Sequence, residues 1–104
     1  MNNEADGKEY LPKPVKLNPH ELYTGEHAVY EKGLQARRGS REPILYGIDI
    51  NGVHYATDGN HRAYNALIHN EPLFGQLVGK TSLDVKNDPD FRLISTLDVI
   101  PIEK

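Results

Sequence analysis

The sequence contains no cysteine, which excludes disulfide bonds, thiolate catalysis and cysteine-ligated metal sites. It also lacks any apolar run close to the roughly 18 residues that a membrane-spanning helix needs. The formal net charge of the 104 residues is only −3, which disfavours nucleic-acid binding driven by bulk charge. The polar start at Met1–Glu9 has no signal-peptide core. We therefore expect a cytoplasmic protein with no membrane association.

Length and composition predict a single domain with a modest hydrophobic core. Residues 1–9 are polar and have no hydrophobic periodicity, so we expect a disordered tail there. The domain itself is predicted to span residues 10–104.

Local patterns predict several further elements of this domain. The prolines of Leu11–Leu17 are typical of an edge strand, and Thr24 is expected to cap a helix over Glu26–Gln35. Other strands are predicted at Leu73–Val78 and Arg92–Ile102, with a turn at Asn87–Asp90 between them.

A β-hairpin is predicted around Asn51-Gly52, which is a favoured two-residue type I′ turn. The flanking segments Ile44–Ile50 and Val53–Thr57 alternate as half-buried strands do. This turn predicts three cross-strand pairs, namely Ile50 with Val53, Ile48 with Tyr55 and Tyr46 with Thr57.

A second helix is predicted over Asn60–His69, because its apolar residues recur at helical spacing. Asn70 and Pro72 should end it, since asparagine tolerates a left-handed cap and proline disfavours helix at the preceding residue. The predicted fold class is α+β, with a small mixed sheet of four to five strands and two main helices.

The turn between the hairpin and this helix holds the densest group of chemically active residues. It reads Asp58-Gly59-Asn60-His61-Arg62. Glycine permits close backbone approach, and a helix N-terminus presents unpaired N–H groups that favour anions. The cationic side chains oppose the helix dipole, and a bound anion would reverse that effect. We therefore predict a phosphate site at Gly59, Asn60, His61 and Arg62. The alternative is an ordinary turn in which Asn60 caps the helix and the two cationic side chains are solvated.

Other candidate residues lie upstream of this turn. Glu26 is a candidate acid or base, although the helix dipole alone would favour a glutamate in a first turn. Arg37 and Arg38 form part of a basic loop that we predict to contact phosphates, the alternatives being contact with a nucleic-acid backbone or a solvated loop. His20, His54 and His69 lack the spacing of metal ligands and are predicted to be structural or solvated. No protein metal site is predicted.

The Asp58–Arg62 turn, with its preceding strand and following helix, resembles the Asp-Gly-His-His-Arg motif of ParB-like domains. Gly59–Arg62 is also similar to the Gly-Cys-His-Arg segment of sulfiredoxins. The resemblance covers about Pro14–Val78 and implies a ParB/sulfiredoxin-like fold. It also implies a nucleotide whose phosphates lie on this turn: ATP in sulfiredoxins, CTP in ParB proteins, and ADP or ATP in the related free serine kinases.

Carried over by position, the resemblance implies that Gly59, His61 and Arg62 bind phosphate and that Asp58 is the acid of the motif. Glu26 lies in the region where the serine kinases have a glutamate base. Asn60 stands where sulfiredoxins have their reactive cysteine, so their reductase chemistry is excluded. The Glu-Arg-Arg turn and the helix-turn-helix domain of partition proteins do not occur in this sequence either.

Three hypotheses follow from the sequence. The first is a nucleotide-binding phosphotransferase or hydrolase that uses ATP, ADP or CTP with Mg²⁺, with Asp58, His61 and Glu26 as candidate catalytic residues. The second is a regulatory module that binds a nucleotide or another phosphorylated small molecule without turnover. The third is a nucleic-acid-binding or nuclease ParB-like protein, which the acidic net charge disfavours. The sequence does not determine the oligomeric state.

Overall fold

The computed structural model describes residues 13–103, so the predicted tail at residues 1–9 lies outside it. The described chain forms eight strands and two α-helices, α1 at Glu31–Ala36 and α2 at Asn60–His69. The strands are β1 (Val15–Leu17), β2 (Tyr23–Thr24), β3 (Ala28–Tyr30), β4 (Ile44–Ile48), β5 (His54–Asp58), β6 (Leu73–Lys80), β7 (Arg92–Leu93) and β8 (Asp98–Ile100). This architecture confirms the predicted α+β class.

Six of the strands form one mixed sheet in the order β1-β6-β4-β5-β2-β7, and β3 pairs with β8 in a separate two-stranded sheet. The larger sheet exceeds the predicted four to five strands because β2 and β7 join it. Each of these strands has only two residues, which is too short to show a hydrophobic alternation. Tyr23–Thr24 runs parallel to β5 and antiparallel to Arg92–Leu93.

The core lies where helix α2 packs against the large sheet. Helix α2 packs against α1, β3, β4 and β6. The buried Asn65 of α2 donates a hydrogen bond from Nδ2 to the Leu34 carbonyl of α1 at 2.9 Å, which joins the two helices. The main buried cluster consists of Leu17, Leu22, Val29, Leu34, Ile44, Tyr46, Ala56, Ala63, Ala66, Leu73, Ile94 and Leu97.

Helix α2 has the predicted bounds, and its end has the predicted cause. Asn70 adopts the left-handed conformation, with φ of 53° and ψ of 50°. Its N–H and that of Glu71 both donate to the Ala66 carbonyl. Local sequence signals therefore determine where this helix stops.

The predicted helix over Glu26–Gln35 is wrong in its first half. Thr24 belongs to β2 rather than to a helix cap, although its Oγ1 accepts the Glu26 N–H at 3.1 Å. Residues Ala28–Tyr30 form β3, which runs parallel to β8. Because that partner lies far along the chain, local periodicity could not reveal the strand.

The predicted hairpin forms, but its register differs by one residue. Ile48 lies opposite His54, and Tyr46 lies opposite Ala56. The Gly52 N–H donates to the Asp49 carbonyl at 3.1 Å, and Gly52 has a φ of 84°. The connection is thus a longer loop with one left-handed glycine rather than a type I′ turn, which requires two positive φ values.

The remaining strand predictions are confirmed in part. Strand β1 lies at the edge of the large sheet, and β6 continues two residues beyond the predicted Val78. The predicted strand over Arg92–Ile102 is instead two strands separated by the 3₁₀ helix Ile94–Thr96. The fully buried Ile94 donates its N–H to the Leu22 carbonyl at 2.9 Å, so this segment turns inward toward the core.

Candidate functional site at the N-terminus of helix α2

Gly59 joins β5 to α2 in a conformation that disfavours other residues. Its φ of 96° lies in the left-handed region. A Cβ atom at this position would come within 2.5 Å of Cγ2 of the buried Ile44. The fold itself therefore requires glycine here, whether or not a ligand binds.

The first turn of α2 is uncapped within the described chain. The first hydrogen bond of the helix runs from the Ala63 N–H to the Gly59 carbonyl at 2.9 Å, and no side chain caps the turn. The backbone N–H groups of Asn60, His61 and Arg62 consequently have no acceptor within the helix. The buried Oδ1 of Asn60 also has no hydrogen-bond partner among the described residues.

Arg62 is held against the segment that leads into β4. Its Nη1 donates to the carbonyls of Glu42 and Pro43 at 3.3 and 3.1 Å. The guanidinium also lies 3.6 Å from the Glu42 carboxylate and 3.7 Å from that of Asp58. Its side chain is only 13% exposed, and the buried Nε has no partner in the described part of the chain. Much of the charge of Arg62 is therefore balanced within the protein.

His61 is turned toward α1. Its Nε2 accepts the Tyr30 N–H at 3.0 Å, and its ring stacks on that of Tyr30 with 6.3 Å between centroids. Gly33 provides the space, because a Cβ there would lie 2.6 Å from the imidazole. Burial lowers the pKa of His61, and so does the charge of Arg37. A neutral imidazole that accepts through Nε2 carries its proton on Nδ1.

Two other predicted site residues, Glu26 and Arg37, come from separate segments to the α2 corner, by which we mean the first turn of α2 with the side chains of His61 and Arg62. The Glu26 carboxylate acts in the opposite direction and raises the pKa of His61. It therefore lies within electrostatic reach of the imidazole. Arg37 also lines a narrow crevice with Arg62. Arg38 is not brought to this turn, because its guanidinium pairs at 2.8 Å with Glu71, beyond the far end of α2.

The sequence interpretation missed three contributors to this corner. The Tyr30 backbone and the Gly33 gap orient His61, and the Glu42 carbonyl holds Arg62. Gly33 gave a usable signal, since glycine is unfavourable within a helix and its presence there points to a packing requirement. The roles of Tyr30 and Glu42 depend on backbone atoms, which every residue type carries.

The described residues present neither a metal cluster nor a spanning helix. Residues 13–103 contain no group of three or more histidine, aspartate or glutamate side chains placed to bind a metal ion. None of the helices in that range is both long enough and apolar enough to cross a membrane.

Comparisons with known proteins give a structural match without a family. No protein-family model matches this sequence, and no curated protein matches it. The fold is similar to the crystal structure of protein Atu1540 from Agrobacterium tumefaciens, with a TM-score of 0.58 and 16% sequence identity. The match covers 68% of this chain but only 40% of that one. It therefore shows a shared fold and carries no information on activity.

Proposed function

We propose that this protein is a ParB/sulfiredoxin-like domain that binds the phosphates of a nucleotide, or of another phosphorylated small molecule, at the N-terminus of α2. One observation carries the proposal. No side chain among residues 13–103 caps the first turn of this ten-residue helix, and three successive N–H groups lack helical acceptors. Such a terminus attracts anions through both its free donors and the helix dipole.

The neighbouring side chains support an anion here. Arg62 is fixed in place by the Glu42 and Pro43 carbonyls, so little side-chain freedom would be lost on binding. Its Nη2 lies 3.7 Å from the Asp58 carboxylate, which is longer than a good hydrogen bond. A phosphate oxygen can compete for that donor, and Arg37 adds a second cation nearby.

Binding without turnover is favoured by the state of His61. Its Nε2 already accepts the Tyr30 N–H, so that nitrogen does not act as a general base in this arrangement. Phosphotransfer or hydrolysis is the second candidate function, and the positions of Glu26 and Asp58 favour it. Both acids lie at this corner, where one of them would orient a nucleophile beside a Mg²⁺-bound nucleotide.

The proposal is tested by thermal shift with ATP, ADP, CTP and inorganic phosphate, with and without Mg²⁺. A ligand at about 100 times its Kd should add roughly 2.7 kcal/mol of stability. The informative variant is Asn60→Asp, which adds a negative charge to the first turn. That charge stabilises a helix N-terminus by about 0.3–1 kcal/mol and repels phosphate. Because the Asn60 Oδ1 is buried without a partner among the described residues, a carboxylate there loses hydration, which opposes the favourable dipole interaction. The readout is therefore the ligand-induced shift, which we expect to be lost whatever the Tm of the free variant.

The matched control is Asn70→Asp, which makes the same chemical change at the exposed left-handed cap at the other end of α2. It should retain the full ligand-induced shift. Equal shifts in wild-type protein and in the Asn60 variant would contradict the proposal, as would the absence of a shift with every probe. Phosphate release from bound nucleotide, measured with Glu26→Gln and Asp58→Asn, separates an enzyme from a module without turnover.

A further inference from the structure

A second concave site lies at the opposite end of β5. An open cleft of about 620 Å³ separates the 3₁₀ helix Pro19–Glu21 from the hairpin loop at Asn51–Val53. The five residues of β5 span roughly 13 Å, so this cleft is distinct from the N-terminus of α2. Its volume falls within the roughly 300–1,000 Å³ that is typical of small-molecule sites.

Both walls of the cleft are fixed by hydrogen bonds. On one side, the Asn18 side chain caps the 3₁₀ helix by accepting the His20 N–H at 3.0 Å. On the other, the buried Asp49 carboxylate accepts the N–H groups of Asn51 and Val53, each at 2.8 Å. Its second oxygen accepts the Val85 N–H at 2.9 Å, which ties the loop to the segment that carries Lys86. The cleft is therefore preformed.

The lining combines cationic groups with an apolar interior. Lys16 and Lys86 contribute two ammonium groups, and neither makes an ion pair within the described chain. Two imidazoles also face the cleft, and one of them, His54, is braced by the Tyr46 ring at 5.0 Å. Glu21 is the single acid among the described lining residues. The apolar part consists of Leu17, Leu22, Val53 and Leu93.

This local charge is opposite in sign to that of the whole chain. Two lysines against one glutamate leave the lining positive, whereas the sequence carries a formal charge of −3. Lys86 also lies near Asp49 and helps to lower the pKa of that carboxyl group. Three backbone N–H groups already donate to the Asp49 oxygens. The ammonium group of Lys86 therefore keeps its hydrogen-bond donors for a ligand.

We propose that this cleft binds a small organic anion, namely a phosphomonoester or carboxylate attached to a flat apolar body. Lys16 and Lys86 would bind the anionic head from opposite walls, and the body would lie against Val53 and Leu93. The proposal does not depend on phosphate binding at α2.

The test is a ¹H–¹⁵N NMR titration of the full chain with phenyl phosphate and with benzoate. Shifts are expected at the amides of Asn18, His20–Tyr23 and Asn51–His54. Inorganic phosphate lacks the apolar body and benzyl alcohol lacks the charge, so each should bind at least about tenfold more weakly. Lys16→Gln and Lys86→Gln should each weaken phenyl phosphate binding by a similar factor, whereas the exposed Lys80→Gln should not.

The proposal would be overturned by the absence of shifts in the cleft with either probe, by equal losses in the Lys80 control, or by equal affinity for phenyl phosphate and inorganic phosphate. Shifts restricted to Asn60–Ala63 would also refute it, while supporting the phosphate site at α2. Because the two sites report through different amides, each proposal can fail without the other.

Discussion

At the scale of single residues, His61 joins the two helices through one nitrogen. Tyr30 is the N-cap residue of α1, and its side chain makes no capping hydrogen bond within the described part of the chain. The Tyr30 N–H donates to the imidazole. Cationic side chains in the first turn of a helix are unfavourable when they are charged. His61 is neutral, and the charge of Arg62 is balanced by nearby carboxylates. These two facts largely explain, without a ligand, why the first turn of α2 tolerates histidine and arginine.

The hydrogen bond between the Tyr30 N–H and the His61 imidazole predicts that the stability of the fold depends on pH. The pKa of folded His61 lies below its ordinary value of 6.5, so the unfolded chain binds the proton more readily. Stability should therefore be full above about pH 7 and fall as the pH drops through the unfolded value. His61→Gln should flatten this part of the curve, as measured by urea unfolding between about pH 7 and pH 5. An unchanged slope would show that the imidazole does not contribute.

At the scale of elements, the β5–α2 junction depends on glycine for two separate reasons. A left-handed backbone costs a non-glycine residue about 1–2 kcal/mol, and a Cβ at Gly59 would also collide with Ile44. Gly39 shares the first constraint, with a φ of 82°, but a Cβ there would meet no atom within 4 Å. Substituting each of these two glycines in turn therefore distinguishes the cost of backbone strain from the cost of steric overlap.

We predict that Gly59→Ala lowers the unfolding free energy by about 2–5 kcal/mol, because strain and overpacking combine. Gly39→Ala should cost only about 1–2 kcal/mol. Urea denaturation of both variants provides the measurement. Similar losses at the two positions would mean that Ile44 moves aside and that the overlap contributes little.

The contrast between α2 and α1 explains how much of the fold could be predicted from the sequence. Asn70 and Pro72 act locally, so the end of α2 follows from its own residues. Tyr30 pairs with Ile100 in a parallel sheet, and no local pattern reports that contact. The hairpin was located correctly, but its register depends on a buried carboxylate that binds loop N–H groups.

The candidate site was predictable to a similar extent. A helix N-terminus after Gly59 could be inferred from spacing, and the structure brings Glu26 and Arg37 toward it. The orientation of His61 and Arg62 could not be inferred, because backbone carbonyls and N–H groups from distant segments determine it.

At the scale of the whole molecule, Asp49 connects the central hairpin to the chain beyond β6. Burial alone would raise the pKa of its carboxyl group, but hydrogen bonds from Val85, Val53 and Asn51 bring that pKa below the ordinary value of 3.8. The stabilisation is therefore present above about pH 4 and is lost as the pH falls through the folded pKa.

Asp49→Asn should lower the urea midpoint at pH 7 and weaken the dependence of stability on pH in the acid range. An amide offers one acceptor oxygen where the carboxylate uses two, so at least one buried N–H loses its partner. The control is Asp84→Asn, since that exposed side chain accepts hydrogen bonds from the side-chain amides of Asn51 and Asn87 and from no backbone N–H of the described residues. Equal effects of the two substitutions would exclude a special role for the buried carboxylate.

The small β3–β8 sheet has a consequence for how the molecule assembles. Its parallel pairing is reinforced by the Ile102 N–H, which donates to Glu31 Oε1 across 71 positions of sequence. Contacts of such long range close late and slow folding, because a large loop must be ordered first. While a ribosome is still synthesising residues 98–102, β3 has no strand to pair with. The Tyr30–His61 corner would therefore be among the last parts of the nascent domain to take its final form.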